Sequence, residues 1–385
     1  MPRQSGRYRV TSVHGEQVRA FIPHPLPPAK PRLAVEGEIA ALHAAAQTAL
    51  ARLAVAGAMI PSTDWFLYGF VRKEAVLTSQ IEGTQATLRD VLTYEATQQT
   101  DRPDDVEEVC NYVEALVYAR KQLADPKGLA LSTRLLCGAH RILMRGARGA
   151  DKQPGEFRRS QNWIGGTRPG NARFVPPPPD AVPDALSGLE KWLHSDDPLP
   201  PLVKAGLAHV QFETIHPFLD GNGRIGRLLI ALLVEVWGLL EQPLLYLSVA
   251  FRRRQQEYYV RLAAVRTGGD WEGWTAFFLD CVREAAEDGV HVAQSLHALL
   301  GRDRERLFRN DRATVTAIQL LDRLPNHPVL TVPRAAEILD LTAPPARKAI
   351  ELLEALGILR ETTGKQRDRV YAYHEYLRIL TGDEP

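Results

Sequence analysis

The sequence predicts a mainly α-helical protein, because apolar residues recur at helical spacing over most of its length. One stretch, 154–179, instead carries turn and strand signals, with Gly, Pro and Asn between two short runs at 162–164 and 173–175. After residue 310, three helical patterns precede two short strands around a polar turn. We therefore expect a helical bundle that carries one β-hairpin, followed by a small separate domain.

Taken in order, the chain begins with a Pro-rich segment, residues 1–32, that we expect to be extended and packed against the body. A recruitment motif for a polyproline-binding partner is the alternative. The patterns then predict helices over about 33–60, 64–80, three between 84 and 146, 181–194, 199–215 and 271–307. The last is long and charged towards its end, as a connector between domains would be.

The composition is that of a globular protein from a reducing compartment. At 385 residues the chain is long enough for two or three domains, and 47 Lys and Arg balance 46 Asp and Glu. Cys110, Cys137 and Cys281 fit no metal or disulfide spacing. The N-terminus lacks the apolar core of a signal peptide, and no run of about 18 apolar residues is expected to span a membrane. We expect a cytoplasmic protein with no membrane contact.

The densest chemistry lies between residues 216 and 227, where one helical pattern stops at glycines and another, led by Leu228, begins. A glycine-rich loop that runs into a helix offers unpaired N–H groups and the positive end of the helix dipole, which suits an anion. Arg224 and Arg227 add bidentate donors for a polyphosphate, and Asp220 offers a hard oxygen for Mg²⁺. His216 can accept a proton near neutral pH.

Two other interpretations of this loop are weaker. Gly221, Gly223 and Gly226 match a dinucleotide-binding pattern, with Glu241 downstream, but that pattern requires a strand before the first glycine and a helix precedes it here. A plain turn between helices would need one glycine and none of the charged side chains.

Residues 216–227, His-Pro-Phe-Leu-Asp-Gly-Asn-Gly-Arg-Ile-Gly-Arg, resemble the signature of Fic-domain proteins at every fixed position. The resemblance implies a Fic helical bundle and an adenylyltransferase that moves AMP from ATP to a Ser, Thr or Tyr hydroxyl of a target protein, including itself. Related branches are kinases or phosphocholine transferases and alter the glycines or the last basic residue. This chain keeps Gly221, Gly223 and Arg227, which favours AMP transfer.

The resemblance also implies roles for single residues. His216 would be the general base and Asp220 the Mg²⁺ ligand. N–H groups around Gly221–Gly223, with the Asn222 side chain, would stabilise the α-phosphoryl oxygens. Some relatives carry Asn in place of Thr267, which leaves adenine specificity on that side open. In full, the implied nucleotide contacts are Glu82, Ile164, Gly165, Gly166, Thr167, Asp220, Gly221, Asn222, Gly223, Arg224, Ile225, Gly226, Arg227, Tyr258, Tyr259 and Thr267.

A second motif lies where the helix over 64–80 ends. Thr78, Glu82 and Gly83 resemble the inhibitory Ser/Thr-x-x-x-Glu-Gly/Asn motif of autoregulated Fic proteins. An acid at a helix C-terminus is disfavoured by the dipole, and Arg227 is the natural cation to relieve this. The pair would occupy the place of the γ-phosphate, so that ATP binds in a non-productive pose. The alternative is a solvated Glu before a Gly cap.

In Fic proteins the position of the hairpin over 154–179 is that of the flap, which covers the active site and registers the target chain by strand addition. The alternative is an exposed loop, although 26 loop residues in a helical domain usually serve a function.

The order of elements after residue 310 resembles a winged helix-turn-helix domain. Its third helix offers Arg347 and Lys348 outward beside acidic residues, and its turn carries Lys365, Arg367 and Arg369. DNA is therefore one expected partner and a protein the other. The domains we predict are an N-terminal helical region with the inhibitory helix (1–110), the Fic catalytic domain (111–306) and the winged-helix-like domain (307–385).

The sequence thus predicts a protein adenylyltransferase that uses ATP and Mg²⁺, is autoinhibited by Glu82, and docks its target on the flap; a homodimer is compatible with the pattern. Two alternatives stay open. The same site could remove AMP from a modified protein, with Glu82 orienting a water molecule. From another class, the chain could be a DNA-binding regulator whose Fic body senses nucleotide.

Overall fold

The computed structural model describes residues 3–13, 15–58, 63–146, 148–149 and 151–382, with side chains for all of these except residues 63–66. Within these ranges the chain is mainly helical, as expected, with two small antiparallel sheets. The helices of the body are α1 (Gly37–Ala58), α2 (Thr63–Ile81), α3 (Leu88–Thr97), α4 (Pro103–Ala124), α5 (Thr133–Leu143), α6 (Val182–Leu193), α7 (Pro201–Ile215), α8 (Asn222–Val236), α9 (Leu247–Arg253), α10 (Gln255–Gly268) and α11 (Trp271–Phe308).

The centre of the body is α7, whose residues from Leu202 to Ile215 are all buried. A helix that is apolar on every side has to lie inside the protein, because no face of it gains from water. Helices α6, α8, α10 and α11 pack against it, and α4 and α5 pack against α8. The loop between α7 and α8 is therefore mounted on the most enclosed part of the fold.

Helix α1 corrects one expectation. By length and composition it is apolar enough to span a membrane, although no such run was expected. In the structure it packs along α11: Leu53 is buried, and a Cβ on Gly289 of α11 would lie 2.9 Å from the Leu53 side chain. The contact covers one face of the helix, and 28% of its most apolar 18-residue window is buried.

The N-terminus also differs from the prediction. Residues expected to be extended form a hairpin of β1 (Gly6–Val13) and β2 (Glu16–Pro23), with Gly6 opposite Pro23 and Val13 opposite Glu16. Alternate residues of β2 face inward, so that Val18 and Ala20 are buried. The prolines that follow residue 22 suggested stiff coil, but they begin only where the hairpin ends.

The C-terminal region contains α12 (Val315–Arg323), β3 (Val329–Thr331), α13 (Val332–Leu339), α14 (Ala343–Ala355), β4 (Arg360–Glu361), β5 (Val370–Ala372) and α15 (His374–Thr381). The three expected helices and the pair of strands are present, while β3 and α15 were not predicted. The strands form a sheet in the order β3-β5-β4. The region is joined to the body by a buried bond, in which the Tyr373 hydroxyl donates to Asp303 of α11 at 2.8 Å, and by α15, which packs on Gly69 of α2.

Candidate functional site

The loop of residues 216–227, here called the signature loop, turns between α7 and α8 through two left-handed residues. His216 has φ 50° and caps α7, and Gly221 has φ 75° and precedes α8. Glycine is favoured at 221 because of this φ and because a Cβ would come 2.9 Å from the Met144 sulfur. The first intrahelical bond of α8 runs from the Ile225 N–H to the Gly221 carbonyl at 3.0 Å. The N–H groups of residues 222–224 are thus left at the helix start, as an anion site requires.

Asn222 has a different role from the expected one. Its side-chain oxygen accepts the Phe218 N–H at 2.9 Å, and its amide donates to the Phe218 carbonyl at 2.9 Å. Both ends of the side chain are therefore used inside the loop, which corrects the expectation that it would reach a phosphoryl oxygen. It sets the shape of the loop, and only its backbone N–H remains for an anion.

Two further loop residues face the protein interior. The Ile225 side chain is fully buried, and a Cβ on Gly226 would come 2.7 Å from a carboxylate oxygen of Glu213. The expected nucleotide contacts at 225 and 226 are therefore corrected: these positions pack α8 against α7. At this helix start Gly223 and Arg227 lie beside Glu82, and Arg224 lies beside Asp220 and Glu108.

His140 of α5 was not predicted from the sequence, yet it holds the outer side of the loop. Its ring stacks on Phe218 with centroids 3.8 Å apart, and the Gly155 N–H donates to Nδ1 at 2.8 Å. Because Nδ1 accepts, the ring hydrogen lies on Nε2, which donates to the Asp220 carbonyl at 3.0 Å. Burial lowers the pKa of His140 to about 4, so the ring is neutral and this arrangement persists at pH 7.

Arg158 was also missed, and it connects the signature loop to the flap, defined here as residues 162–175. It is 2% exposed, its Nε donates to the His216 carbonyl at 2.8 Å, and its N–H donates to the Pro217 carbonyl at 2.9 Å. A second guanidinium nitrogen donates to the Pro177 carbonyl beyond the flap. A buried arginine whose donors all go to main-chain carbonyls fixes the backbone, and only a charged residue amid the turn signals of 154–179 could have hinted at it.

The ring of His216 is positioned to act as a base. Its Nδ1 is buried, 4.0 Å from a Glu213 carboxylate oxygen, while 18% of the side chain remains exposed. The nitrogen left for a substrate proton is therefore Nε2. Burial, and then the positive charges of Arg266 and Arg158, lower the pKa of His216 below its ordinary value. Its imidazole is consequently neutral at pH 7 and able to accept a proton.

The residues behind this ring are buried and titratable. Burial raises the pKa of the Glu213 carboxyl to about 7. Arg266 of α10 donates to the Thr214 hydroxyl at 3.3 Å and lies 4.1 Å from the centre of the Phe174 ring, so it bridges the last turn of α7 and the flap. Neither group was predicted as part of the site, because neither belongs to the signature.

The carboxylate of Glu82 occupies the helix start of α8. Its Oε1 accepts from Arg227 Nη2 at 2.6 Å, which is the pairing expected from the sequence. A Cβ on Gly223 would lie 2.1 Å from this oxygen, so the absence of a side chain there makes room for the carboxylate. Arg227 is 3% exposed and also donates to the Thr78 hydroxyl at 2.6 Å and to the Thr78 carbonyl at 3.0 Å. The turn is completed by Gly83, at φ 103°.

Arg224 pairs with acidic side chains other than Glu82. It is 4% exposed and lies 3.2 Å from Glu108 of α4 and 3.7 Å from Asp220. The Asp220 side chain is half exposed, and one of its oxygens accepts the Gly221 N–H at 2.6 Å. No cluster of three or more His, Cys, Asp or Glu side chains in the described part of the chain could hold a metal alone. A single half-exposed carboxylate suits Mg²⁺, which is usually held by one or two carboxylates and by phosphates.

The flap has the expected form of a short hairpin, reduced to one bridge between Ile164 and Phe174. Gly165 and Gly166 both have positive φ, and Thr167 is exposed. The turn is held by Asn171, whose side-chain oxygen accepts the N–H groups of residues 167 and 168 at 3.0 Å each.

The N-terminal hairpin packs beside the flap. The Phe21 N–H donates to the Val175 carbonyl at 2.9 Å, and Val18 and Ala20 form a small core with Val175. At the tip, Glu16 pairs with Arg168 at 2.6 Å. One edge of the flap is thereby occupied by this chain's own N-terminus.

The two tyrosines expected at the adenine lie in different surroundings. Tyr258 is 1% exposed, and its hydroxyl is 2.8 Å from His209 Nε2 inside an aromatic cluster. It is therefore a core residue, which corrects its assignment to the nucleotide. Tyr259 is 47% exposed, with its hydroxyl 3.5 Å from the Ile81 carbonyl, so it stands next to the Glu82 turn. Thr267 is exposed in the last turn of α10.

Together these residues define a helical protein in which a helix start, two buried arginines and a neutral imidazole converge under a short hairpin. Such a site suits a phosphate-bearing substrate and proton transfer to or from a group beside it. One carboxylate of the protein lies where an anion would bind.

Comparison with known families agrees with this class. Residues 40–121 match the family described as Fic/DOC family N-terminal, and residues 130–234 match the Fic/DOC family. These two segments are thus similar to Fic/DOC family domains, and the signature loop lies in the second of them.

Curated relatives carry the name of an activity. A probable protein adenylyltransferase of Aquifex aeolicus is 29% identical over 235 residues, which is 60% of this chain and 60% of that protein. The protein adenylyltransferase Fic of Drosophila melanogaster is 33% identical over 135 residues, 34% of this chain and 25% of that protein. The chain thus covers less than two thirds of the length of these relatives.

Solved structures show the same fold. A Fic family protein from Desulfovibrio desulfuricans has a TM-score of 0.57 at 23% identity and covers 88% of this chain and 97% of its own. A Fic-domain-containing signalling protein from Bacteroides thetaiotaomicron has a TM-score of 0.51 at 18% identity, over 65% of this chain and 98% of its own.

Proposed function

We propose that this protein is an adenylyltransferase that transfers AMP from ATP to a hydroxyl side chain of a protein. The observation that carries the proposal is the neutral His216 at the rim of a helix start that bears Arg224 and Arg227. The curated relatives named protein adenylyltransferase support it.

The proposed reaction uses the groups of the signature loop. The target oxygen attacks the α-phosphorus of ATP in line, a new P–O bond forms, and the bond to the bridging oxygen of the β-phosphate breaks. The proton of the hydroxyl passes to Nε2 of His216, and pyrophosphate leaves. The N–H groups of residues 222–224 stabilise negative charge on the phosphoryl oxygens, and Arg224 and Arg227 bind the leaving group.

Asp220 is the residue that would hold Mg²⁺, together with phosphate oxygens, because its half-exposed carboxylate lies at the open end of the loop. When bound, the ion would neutralise charge on the triphosphate. Two hydrogen bonds fix Asp220 in this position: His140 donates to its carbonyl, and the Gly221 N–H donates to its carboxylate.

Autoinhibition is the second part of the proposal. Glu82 already neutralises Arg227 and fills the space beside Gly223, so a γ-phosphate cannot reach either. ATP then binds with its phosphates displaced, and the α-phosphorus is not in line with the attacking hydroxyl. Movement of Glu82 off Arg227 would restore the productive pose.

The third part concerns the target. Its chain would pair with a backbone edge of the flap, which holds a hydroxyl beside His216 while reading little sequence. Because Val175 bonds with Phe21, the N-terminal hairpin shares this surface and would influence which target fits.

The test is mass spectrometry of the full chain with Glu82→Gly, incubated with ATP and Mg²⁺ and with cell extract. We expect an added AMP on a Ser, Thr or Tyr of the chain or of an extract protein. If neither carries AMP while ATP binds, the proposal is wrong.

Removal of AMP is a second candidate, favoured by the position of the Glu82 carboxylate beside the phosphate site, where it could orient a water molecule. A modified target incubated with the wild-type chain would then release free AMP, and Glu82→Gln would stop the release.

A winged-helix role for the C-terminal region is supported by the order of α12–α14 and the β4–β5 hairpin, with Arg347, Lys348 and Arg367 exposed. A gel shift with duplex DNA, measured with the intact chain and with Arg367→Glu, tests DNA contact. No shift with the intact chain would favour a protein partner.

A further inference from the structure

A second cavity lies away from the signature loop. It has a volume of about 870 Å³ and lies between α2, α9, α11 and α15. Its wall therefore combines α2, which ends one residue before Glu82, with the last helix of the C-terminal region. Nothing in the proposed reaction uses it.

Four cationic side chains line this cavity against one carboxylate. The cations are Lys73, Arg252, Arg253 and Arg378, and the carboxylate is Asp288. Two of the arginines have acidic partners just outside the wall: Arg253 bonds to Glu284 at 3.1 Å and Arg378 to Glu375 at 3.0 Å. Even with both counted, positive charge is in excess.

The position of Lys73 is the most unusual part. It is 8% exposed, and the nearest carboxylate oxygen, on Asp288, is 3.6 Å away, which is too far for a strong hydrogen bond. Burial is the main cause that lowers the pKa of Lys73, against the opposing charge of Asp288. Asp288 itself is shared with Arg253 at 3.0 Å. Because Lys73 shares this carboxylate with Arg253, an anion that binds beside its buried ammonium group would stabilise it.

We propose that this cavity is a binding site for a small phosphate-bearing anion, of the size of a diphosphate or a nucleotide. Arg252 is exposed at its mouth, and the structure gives it no ion pair within the described residues. Guanidinium groups bind phosphate oxygens in pairs, and Lys73 provides a point charge at depth. The concave shape favours a small ligand over duplex DNA, whose phosphates need a surface that follows the helix.

The cavity is connected to the Glu82 turn by one hydrogen bond and by one pair of neighbouring residues in α2. Gln255 lines the wall and its Nε2 donates to the Ile81 carbonyl, one residue before Glu82, at 3.0 Å. Leu77 also lines the wall, and the next residue, Thr78, bonds to Arg227. An anion that draws Lys73 of α2 towards α9 and α15 holds this turn in place. Occupancy would therefore strengthen the Glu82–Arg227 pair, a consequence that rests on the proposed function.

Binding is tested first, without turnover, by calorimetry of the full-length His216→Ala chain with inorganic pyrophosphate at constant ionic strength. Arg252→Glu should weaken the pyrophosphate affinity of the cavity by about tenfold or more, because it replaces a charge-assisted bond by repulsion. Arg134→Glu, an exposed arginine of α5 outside the cavity, is the matched control and should change nothing. An unchanged affinity in Arg252→Glu would overturn the site.

Location is tested by soaking crystals of the same chain in tungstate. We expect an anomalous peak between Lys73 and Arg378; tungstate only at the signature loop, or as an adventitious surface ion only, would contradict the assignment. Displacement of pyrophosphate from the cavity by duplex DNA would overturn the choice of a small ligand.

The link to α2 has its own measurement, hydrogen exchange of the amides of residues 78–83. Pyrophosphate should slow their exchange in the His216→Ala chain and should not do so when Arg252→Glu is added. Slowing that persists in the double variant would place the effect at the signature loop. This measurement does not depend on AMP transfer, so its failure is separable from failure of the proposed function.

Discussion

The signature loop and the flap lie against each other and are held in opposite ways. The loop is fixed from every side by buried polar contacts, from Arg158 below, His140 outside and Asn222 within. The flap has one internal backbone bridge and is otherwise held at Val175 and Arg168 by the N-terminal hairpin, while most of residues 165–171 are exposed. The groups proposed to do the chemistry are therefore rigid, while the surface proposed to meet the target is adaptable.

This difference indicates how one site could accept different proteins without losing rate. Rigid hydrogen-bond donors stabilise a transition state most strongly, because they need no reorganisation during the reaction. A docking edge needs only backbone groups at regular spacing. Substitutions in the loop should accordingly act on the reaction, and those in the flap on recognition.

The largest effect on the reaction is expected from His216→Ala. Removal of a general base commonly lowers a rate by about 10²–10⁴-fold, and we expect that loss in AMP transfer from α-labelled ATP, measured in a Glu82→Gly background. His297→Ala, an exposed histidine of α11, should retain full transfer. Equal rates in the two variants would remove His216 from the reaction.

Next in size is Arg158→Lys. A lysine cannot reach the His216 and Pro177 carbonyls together, so the loop should shift, and a displacement near 1 Å can lower a rate by about 10²-fold. The melting temperature should fall as well, because buried carbonyls lose their donor. Arg159→Lys, whose side chain is 79% exposed, is the neighbouring control. If both variants have wild-type rate and stability, Arg158 does not fix the position of the signature loop.

Glu82→Gly acts in the other direction. A hydrogen bond between charged groups contributes about 1.5–3 kcal/mol, and the Glu82 side chain is 34% exposed, so the low end applies and transfer should rise about tenfold. Glu82→Gln keeps the bulk beside Gly223 and removes the charge. An increase with Gly but not with Gln would assign the inhibition to occupied space; no increase with either would argue against the clamp.

A smaller effect is expected from pH. Because burial lowers the pKa of His216, its neutral form persists below pH 6.5 and is lost only as the pH falls through the folded value. Single-turnover AMP transfer should therefore stay nearly constant from pH 8 to pH 6 in a Glu213→Gln chain, which lacks the neighbouring carboxyl of pKa about 7. A rate already halved at pH 6.5 would mean that the ring titrates as a solvent-exposed histidine does.

The smallest effect should come from the flap. Asn171→Ala removes the acceptor of two N–H groups at an exposed turn, so the free energy of unfolding should change by no more than about 0.5 kcal/mol. Labelling of a protein target should fall by a factor of a few, while self-labelling at saturating ATP is preserved. A large loss of stability would show that the flap is as firmly held as the loop.

The sequence predicted the glycine turn into the start of α8 and the Glu82–Arg227 pair, both of which the structure contains, while the anion site stays a prediction. The sequence could not show which of Tyr258 and Tyr259 is buried and which is exposed. Adjacent residues of a helix point about 100° apart, so one of them faces the core, and only the packing of Phe251 and Trp274 around Tyr258 determines which.

Other features were beyond local patterns for a related reason. Asn222 is bound to a backbone four residues away, and Arg158 to carbonyls 58 and 19 residues away, so their roles exist only once the chain has folded. The cavity beside Lys73 is formed by helices from both ends of the chain. Within the N-terminal hairpin, alternation in β2 was the available signal, and the prolines after it obscured that signal.

The absence of a side chain at Gly223 limits which substitutions could relieve the proposed inhibition by Glu82. Any side chain at that position would expel the Glu82 carboxylate, yet it would occupy the same few ångströms that a γ-phosphate needs. Release and substrate entry therefore compete for one gap, and no replacement at 223 can favour the first without penalising the second. If Glu82 inhibits as proposed, a constitutively active variant would have to change the end of α2, a helix that also packs against α15 of the C-terminal region.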